Sequence, residues 1–409
     1  MTISSPAERR PAPFLREVAR HTALVFASTL ALQATMFMIL ASAALLLDTK
    51  AFAQLSLIVA AAMLASAFFE LGLNITSTKM YGDSRDEGVL RTAFQIRLVC
   101  LPVALIAGLA VAVTAGLRDV GLGIGLGAAL NLWNGVRASD QARQDYQSFM
   151  AASLAFAAIR AVGGLTTLYF TRDPILTALA SYALPLLGAV FSASSRYVAG
   201  AISTPRLPSP AMLRSAAHVY LNALTFIAMP YVPQFVIASR LDPTAAGTYG
   251  LILTFTGPIS LLVYALRSVL LPKMLESRSE LEAAMWTRHG LLVLGVAWAA
   301  MIACGFLLAE GLELFYGHKF PDIRSAFVVF FVGFSATALI GLYSLSVHTL
   351  SVPEISTATG ALKFVVLLLA LQLTGHTLTQ IVIVTTLVMV AGEVALALLL
   401  ASRRRKAVA

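Results

Sequence analysis

Charge is scarce in this chain of 409 residues: Asp, Glu, Lys and Arg make up 12% of it, against about 25% in an ordinary globular domain. So few charges cannot cover a soluble surface, and a disordered chain would need more of them. Cysteine is almost missing. Cys100 and Cys304 both lie inside apolar runs, so no disulfide framework and no cysteine-based metal site is expected. The six histidines are scattered, with no two spaced four apart, and no metal is expected from them either. The sequence lacks G-x-x-x-x-G-K-S/T, which excludes nucleotide hydrolysis through a P-loop of its own. No cofactor is expected. What remains is apolar: 58% hydrophobic residues and a mean hydropathy of +0.83. This composition describes a polytopic membrane protein.

A bilayer core needs about 20 apolar residues per helix. The sequence contains twelve such runs, at 22–47, 51–72, 93–116, 120–138, 149–170, 175–199, 215–239, 244–271, 289–310, 322–347, 355–374 and 379–401. Only Asp48-Thr49-Lys50 separates the first two, and one long helix there would leave eleven. The turns alternate in charge. With the N-terminus in the cytoplasm, 19 of the 29 Lys and Arg fall on inside segments and six on outside turns. The formal charge of +9 is thus read as cytoplasmic anchoring, not nucleic-acid binding. Both termini are expected inside, in a bacterial inner membrane. Residues 13–20 place Phe14, Leu15, Val18 and Ala19 on one face, as a short interfacial helix would. Inside loops are expected at Thr78–Arg91, Val136–Ser148, Gly200–Arg214 and Pro272–Arg288, and the longest outside turn from Gly311 to Pro321. None is large enough for a catalytic domain.

The run from Gly121 to Gly127 contains two overlapping G-x-x-x-G pairs within a span, a pattern that lets helix backbones approach closely. At an offset of 194 residues, Leu47-Asp48 faces Leu241-Asp242, Leu57-Ile58 faces Leu251-Ile252, and Lys79-Met80 faces Lys273-Met274. These matches fall at equivalent points of two six-helix halves. The expected fold is all-α, with twelve transmembrane helices in two lobes related by a pseudo-two-fold axis along the membrane normal. A cytoplasmic segment covers 1–21, the lobes 22–199 and 215–401, a linker 200–214 and a basic tail 402–409. The substrate path belongs between the lobes.

Four cations fall within spans: Arg97, Arg160, Arg267 and Lys363. Each costs about 2.5–3.5 kcal/mol at a helix centre. Arg160 is the deepest, whereas the others stand near cytoplasmic ends and could snorkel. Together they are the candidate substrate-binding set. Glu70 and Glu393 are either their ion-pair partners or proton carriers. A cationic cleft favours an anionic substrate, and a pyrophosphate could engage several such groups at once.

Ala245-Ala-Gly-Thr-Tyr-Gly-Leu-Ile-Leu and Phe69-Glu-Leu-Gly-Leu-Asn, the latter followed by Lys79, complete a pattern that resembles the Wzx-like polysaccharide-export flippases of the multidrug/oligosaccharidyl-lipid/polysaccharide (MOP) superfamily. The resemblance implies that an isoprenoid-pyrophosphate-linked oligosaccharide moves from the cytoplasmic to the periplasmic leaflet. It also implies a monomer among membrane lipids, with a polysaccharide polymerase or co-polymerase as protein partner, and no enzymatic activity. The alternative, a cation-coupled multidrug antiporter of the same superfamily, calls for acids deep in the first lobe, where this sequence has arginine.

Overall fold

Apolar runs bounded by capping residues set the helix ends. Asp48, Asp86 and Asp145 each accept a hydrogen bond from a backbone N–H of the first turn that follows, and Ser209 does the same for Met212, which satisfies donors left open at a helix start. Pro174, Pro210, Pro243 and Pro353 open their helices, where a missing N–H costs nothing. The computed structural model describes residues 11–189, 207–276, 288–342 and 353–408. Among these the chain is helical with no strand. In order, the helices are α1 (Pro11–Leu46), α2 (Thr49–Glu70), α3 (Leu73–Ser84), α4 (Glu87–Thr114), α5 (Arg118–Ala142), α6 (Tyr146–Thr171), α7 (Pro174–Ala189), α8 (Pro210–Arg240), α9 (Pro243–Glu276), α10 (Arg288–Tyr316), α11 (Ile323–Ile340), α12 (Pro353–Thr374) and α13 (Leu378–Val408).

Because α3 prolongs α2 past a bend, the described helices form twelve rods, the number that the hydropathy predicts. Nine of these are by themselves long and apolar enough to span a bilayer. We call the face where α1 begins proximal and the face where it ends distal. The first two spans are separate helices, because the Asp48 carboxylate caps Ala51 at 2.7 Å. Three connections differ from expectation. The segment Thr78–Arg91 is mostly helix, and so is Val136–Ser148, while α10 runs on to Tyr316 and shortens the distal turn that follows. Residues 13–20 are the first turns of an unbroken α1. Hydropathy marks where lipid ends; the hydrogen-bond ladder continues past that point. Part of the linker 200–214, the end of the sixth predicted span and the turn around His348 lie outside the described residues.

The glycine run of α5 is a contact strip, as its spacing predicts. A Cβ on Gly121 would stand 2.3 Å from the Gly108 carbonyl oxygen of α4. On Gly123 and Gly127 it would stand 2.6 and 2.3 Å from the Ile58 and Ala62 oxygens of α2. Helix α5 is thereby wedged between α2 and α4 at backbone distance.

Helices α1–α7 form one lobe and α8–α13 the other. They meet along a seam of α1, α2 and α3 against α8 and α9. The 194-residue repeat has a structural basis. Helices α2 and α9 start 194 residues apart, and Asp48 and Asp242 each cap the N–H three residues on at 2.7 Å. Ser56 and Gly250, equivalent at this offset, touch: the Ser56 Oγ lies 2.5 Å from where a Gly250 Cβ would be. Equivalent residues meet at a two-fold axis, so the pseudo-axis passes here. At the proximal face, Leu71 and Gly72 are left-handed (φ 52° and 68°) and bend the chain into α3. A side chain on Gly72 would strike the backbone of α8, 2.4 Å from the Ala216 oxygen.

Gly127→Val should force α5 off α2. A loss of about 1–3 kcal/mol, typical of overpacking, is expected as a lowered unfolding midpoint in detergent. Gly82→Val, which meets open space, serves as the control.

Candidate functional site

The deepest predicted cation, Arg160, lies where α1, α6 and α7 converge. Its residual exposure is 6%. Phe156, one turn earlier on α6, places its ring centroid 4.6 Å from the guanidinium carbon, and Tyr182 of α7 does so at 5.0 Å. Trp133 of α5 stacks on Phe156 at 4.9 Å and fixes that ring. Two backbone oxygens complete the cradle. Arg160 Nε donates to Ser181 O at 3.0 Å and Nη1 to Leu32 O at 3.5 Å. The Ser181 oxygen is available for a reason written in the sequence. Four residues later stands Pro185, inside α7, which has no N–H to offer it. Gly164, one turn beyond Arg160, allows the close approach: a Cβ there would sit 2.6 Å from both Ile39 Cδ1 of α1 and Ser181 Oγ of α7.

Among the described residues no carboxylate pairs with Arg160, and its Nη2 has no protein acceptor. The guanidinium is therefore oriented by carbonyls and rings, with its charge uncompensated and one N–H edge unused. It stands close to the seam. The Tyr182 hydroxyl contacts Met36 Sδ of α1 at 3.8 Å, and the neighbouring Phe37 meets Phe255 of α9 edge-on at 4.9 Å. Tyr231 of the second lobe lies within electrostatic reach of Tyr182.

The other predicted cations are held elsewhere, each with its own partners. Arg97 of α4 is almost fully buried, with Nη2 donating to Asn74 Oδ1 at 2.5 Å and Glu70 within electrostatic range. Gly135 of α5 clears space for its stem, since a Cβ there would be 2.6 Å from Nη1. This cluster fastens α4 to the α2–α3 bend. Lys363 of α12 pairs with Glu393 of α13 at 2.5 Å inside the second lobe. Gly392 leaves room for the lysine stem, with a Cβ position only 1.8 Å from Lys363 Cδ. Arg267 lies in α9, and its side chain is outside the described residues. Glu70 and Glu393 thus stand beside Arg97 and Lys363, and neither faces Arg160. Among the described residues no group of His, Cys, Asp and Glu could hold a metal.

Sequence reasoning missed the aromatic cradle, although the i, i+4 spacing of Phe156 and Arg160 was a readable signal. It also missed two polar atoms at the pseudo-axis. Ser56 Oγ and Gln234 Nε2 are buried beside Gly250 with no protein partner.

No family model matches the sequence, and no curated protein matches it. Solved structures do. The chain superposes on a mutant of the Vibrio cholerae MATE transporter VcmN with a TM-score of 0.61 at 14% identity, covering 97% of this chain and 98% of that one. It superposes on an outward-facing multidrug resistance MATE family transporter of the MOP superfamily with a TM-score of 0.64 at 15% identity, over 94% of each chain. For the lipid II flippase MurJ in an inward closed conformation the TM-score is 0.63 at 13% identity, over 91% and 87%. The fold is that of the MOP-superfamily transporters. A multidrug resistance transporter and a lipid II flippase are both built on it, so the fold does not name the cargo.

Lys363→Met should strand the Glu393 charge and destabilise the protein by about 3–5 kcal/mol, whereas replacing both partners with apolar residues should restore most of the loss. Unfolding midpoints of the single and double variants check this. Equal destabilisation by both would show that the loss does not come from a stranded Glu393 charge.

Proposed function

We propose that the protein is a flippase, not an enzyme, that carries a lipid-linked (isoprenoid pyrophosphate) oligosaccharide from the cytoplasmic to the periplasmic leaflet for surface polysaccharide biosynthesis. The observation that carries this reading is Arg160: a buried guanidinium with no acid partner and an unused N–H edge among the described residues, near the seam of a transporter fold. A charge left without a counter-ion in a membrane interior is costly, and an anionic group on the cargo supplies the missing partner. The carbonyls and rings that hold Arg160 orient the N–H edge in advance, so binding spends little on ordering.

In this reading the proximal face is cytoplasmic, since Arg85, Arg91, Arg143 and Arg214 cluster there and such residues stay on the inside. Cargo loads from that face, and the lobes rock about the seam to expose it on the other. A membrane potential, negative inside, assists outward movement of an anion by about 2.3 kcal/mol per charge per 100 mV. Arg97, Lys363 and Arg267 are further substrate contacts in the open states, with Glu70 and Glu393 the acids they exchange against cargo or protons. A monomer working beside a polysaccharide polymerase or co-polymerase in the bacterial inner membrane is the corresponding setting. Export of cationic drugs would instead need a carboxylate where Arg160 stands. The acids of the first lobe lie toward helix ends, at Glu70, Asp119 and Asp140.

Arg160→Ala should abolish surface-polysaccharide export while the protein still accumulates in the membrane, and Arg160→Lys should retain part of it. Immunoblotting of membranes together with surface glycan staining reads both. Undiminished export by Arg160→Ala, or resistance to cationic dyes conferred by the wild type and lost in the variant, would overturn the assignment.

A further inference from the structure

The last turn of a helix leaves its final carbonyls without partners and carries a partial negative charge. At the distal end of α1 the Ala43 carbonyl accepts from Leu47 N–H at 2.9 Å, and three of the carbonyls beyond it take a partner from the other lobe. Lys319, in the turn between α10 and α11, donates from Nζ to the oxygens of Ala44, Leu45 and Leu47 at 3.3, 2.6 and 2.9 Å. Tyr316, three residues earlier, donates its hydroxyl to Ala41 O at 3.2 Å. Phe320, the next residue, is fully buried. Its ring stands 5.5 Å from Phe52 of α2, and it packs over Gly247 of α9, where a Cβ would come within 2.8 Å. A five-residue segment of the second lobe thus caps the end of α1 with a cation and plugs the space beside it with a ring. Two further cations of the second lobe at this face find their partners within that lobe: Arg324 pairs with Glu310, and Arg240 donates to Gln372 and to Leu371 O.

We infer that Lys319 is the distal gate latch: its ammonium, acting as a C-cap supplied across the seam, holds the two lobes together at the distal face, and its release from α1 accompanies opening. The latch does not depend on the identity of the cargo. Three acceptors for one ammonium match the donor capacity of lysine. Charge-assisted hydrogen bonds are about twice as strong as neutral ones, and water replaces them when the face opens.

The test uses the full-length protein in liposomes with Cys100 and Cys304 replaced by serine. Spin labels at Leu45 and Leu314, both lipid-exposed near the distal ends of α1 and α10, report the distance between lobes. Labels at Leu45 and Phe170 of α6 report the interior of the first lobe. Lys319→Met should raise the open-to-closed population ratio roughly ten-fold, equivalent to about 1.4 kcal/mol, seen as added long distances in the first pair with the second pair unchanged. Lys319→Gln, which keeps donors but no charge, takes its place with the same two readouts if the methionine variant fails to accumulate. An unchanged distribution in the first pair would overturn the latch. So would equal broadening of both pairs, because Lys319 would then only keep α1 from fraying.

Discussion

A charged side chain inside a bilayer has no bulk water to fall back on, so every charge in a span must find its partners in the protein or in the cargo. The three described intramembrane cations solve this differently. Lys363 takes a carboxylate. Arg97 takes an amide with a carboxylate in range. Arg160 takes two carbonyls and two ring faces. The first two arrangements are electrically closed and tie helices together, each helped by a glycine that clears the stem. The third is fixed in place but electrically open. That difference leaves Arg160 alone of the three without an acid to give up before it meets a ligand, and it arises from small features: a proline that frees one oxygen and a phenylalanine one turn away.

Much of the architecture was legible because lipid imposes a simple rule on sequence. Twelve apolar runs became twelve helical rods, and the glycine spacing in α5 became backbone contact with α2 and α4. The weak match at offset 194 proved to be a pair of aspartate caps at corresponding helix starts. Helix ends were less legible, since α3 and the tail of α5 are polar and still helical. The partners of the intramembrane charges were least legible. Nothing in the spacing of Lys363 and Glu393, or of Arg97 and Asn74, announces contact between different helices. The cations themselves could be named, but whether each was already neutralised required three dimensions.

The comparison structures place this chain on a fold that serves cargoes of different chemistry. Near the seam of this chain stands Arg160, without a carboxylate partner among the described residues, with Tyr182 beside it.

The atoms buried at the pseudo-axis give the closed seam a second property. Ser56 Oγ and Gln234 Nε2 lie beside Gly250 without a protein partner, and each such atom is worth about 1–3 kcal/mol of penalty. Parting the lobes would wet them and return that energy. The tightly fastened rim and the thirsty centre therefore pull in opposite directions, by amounts of the same order. A junction built in this way parts at a smaller cost than its apolar contacts alone would set.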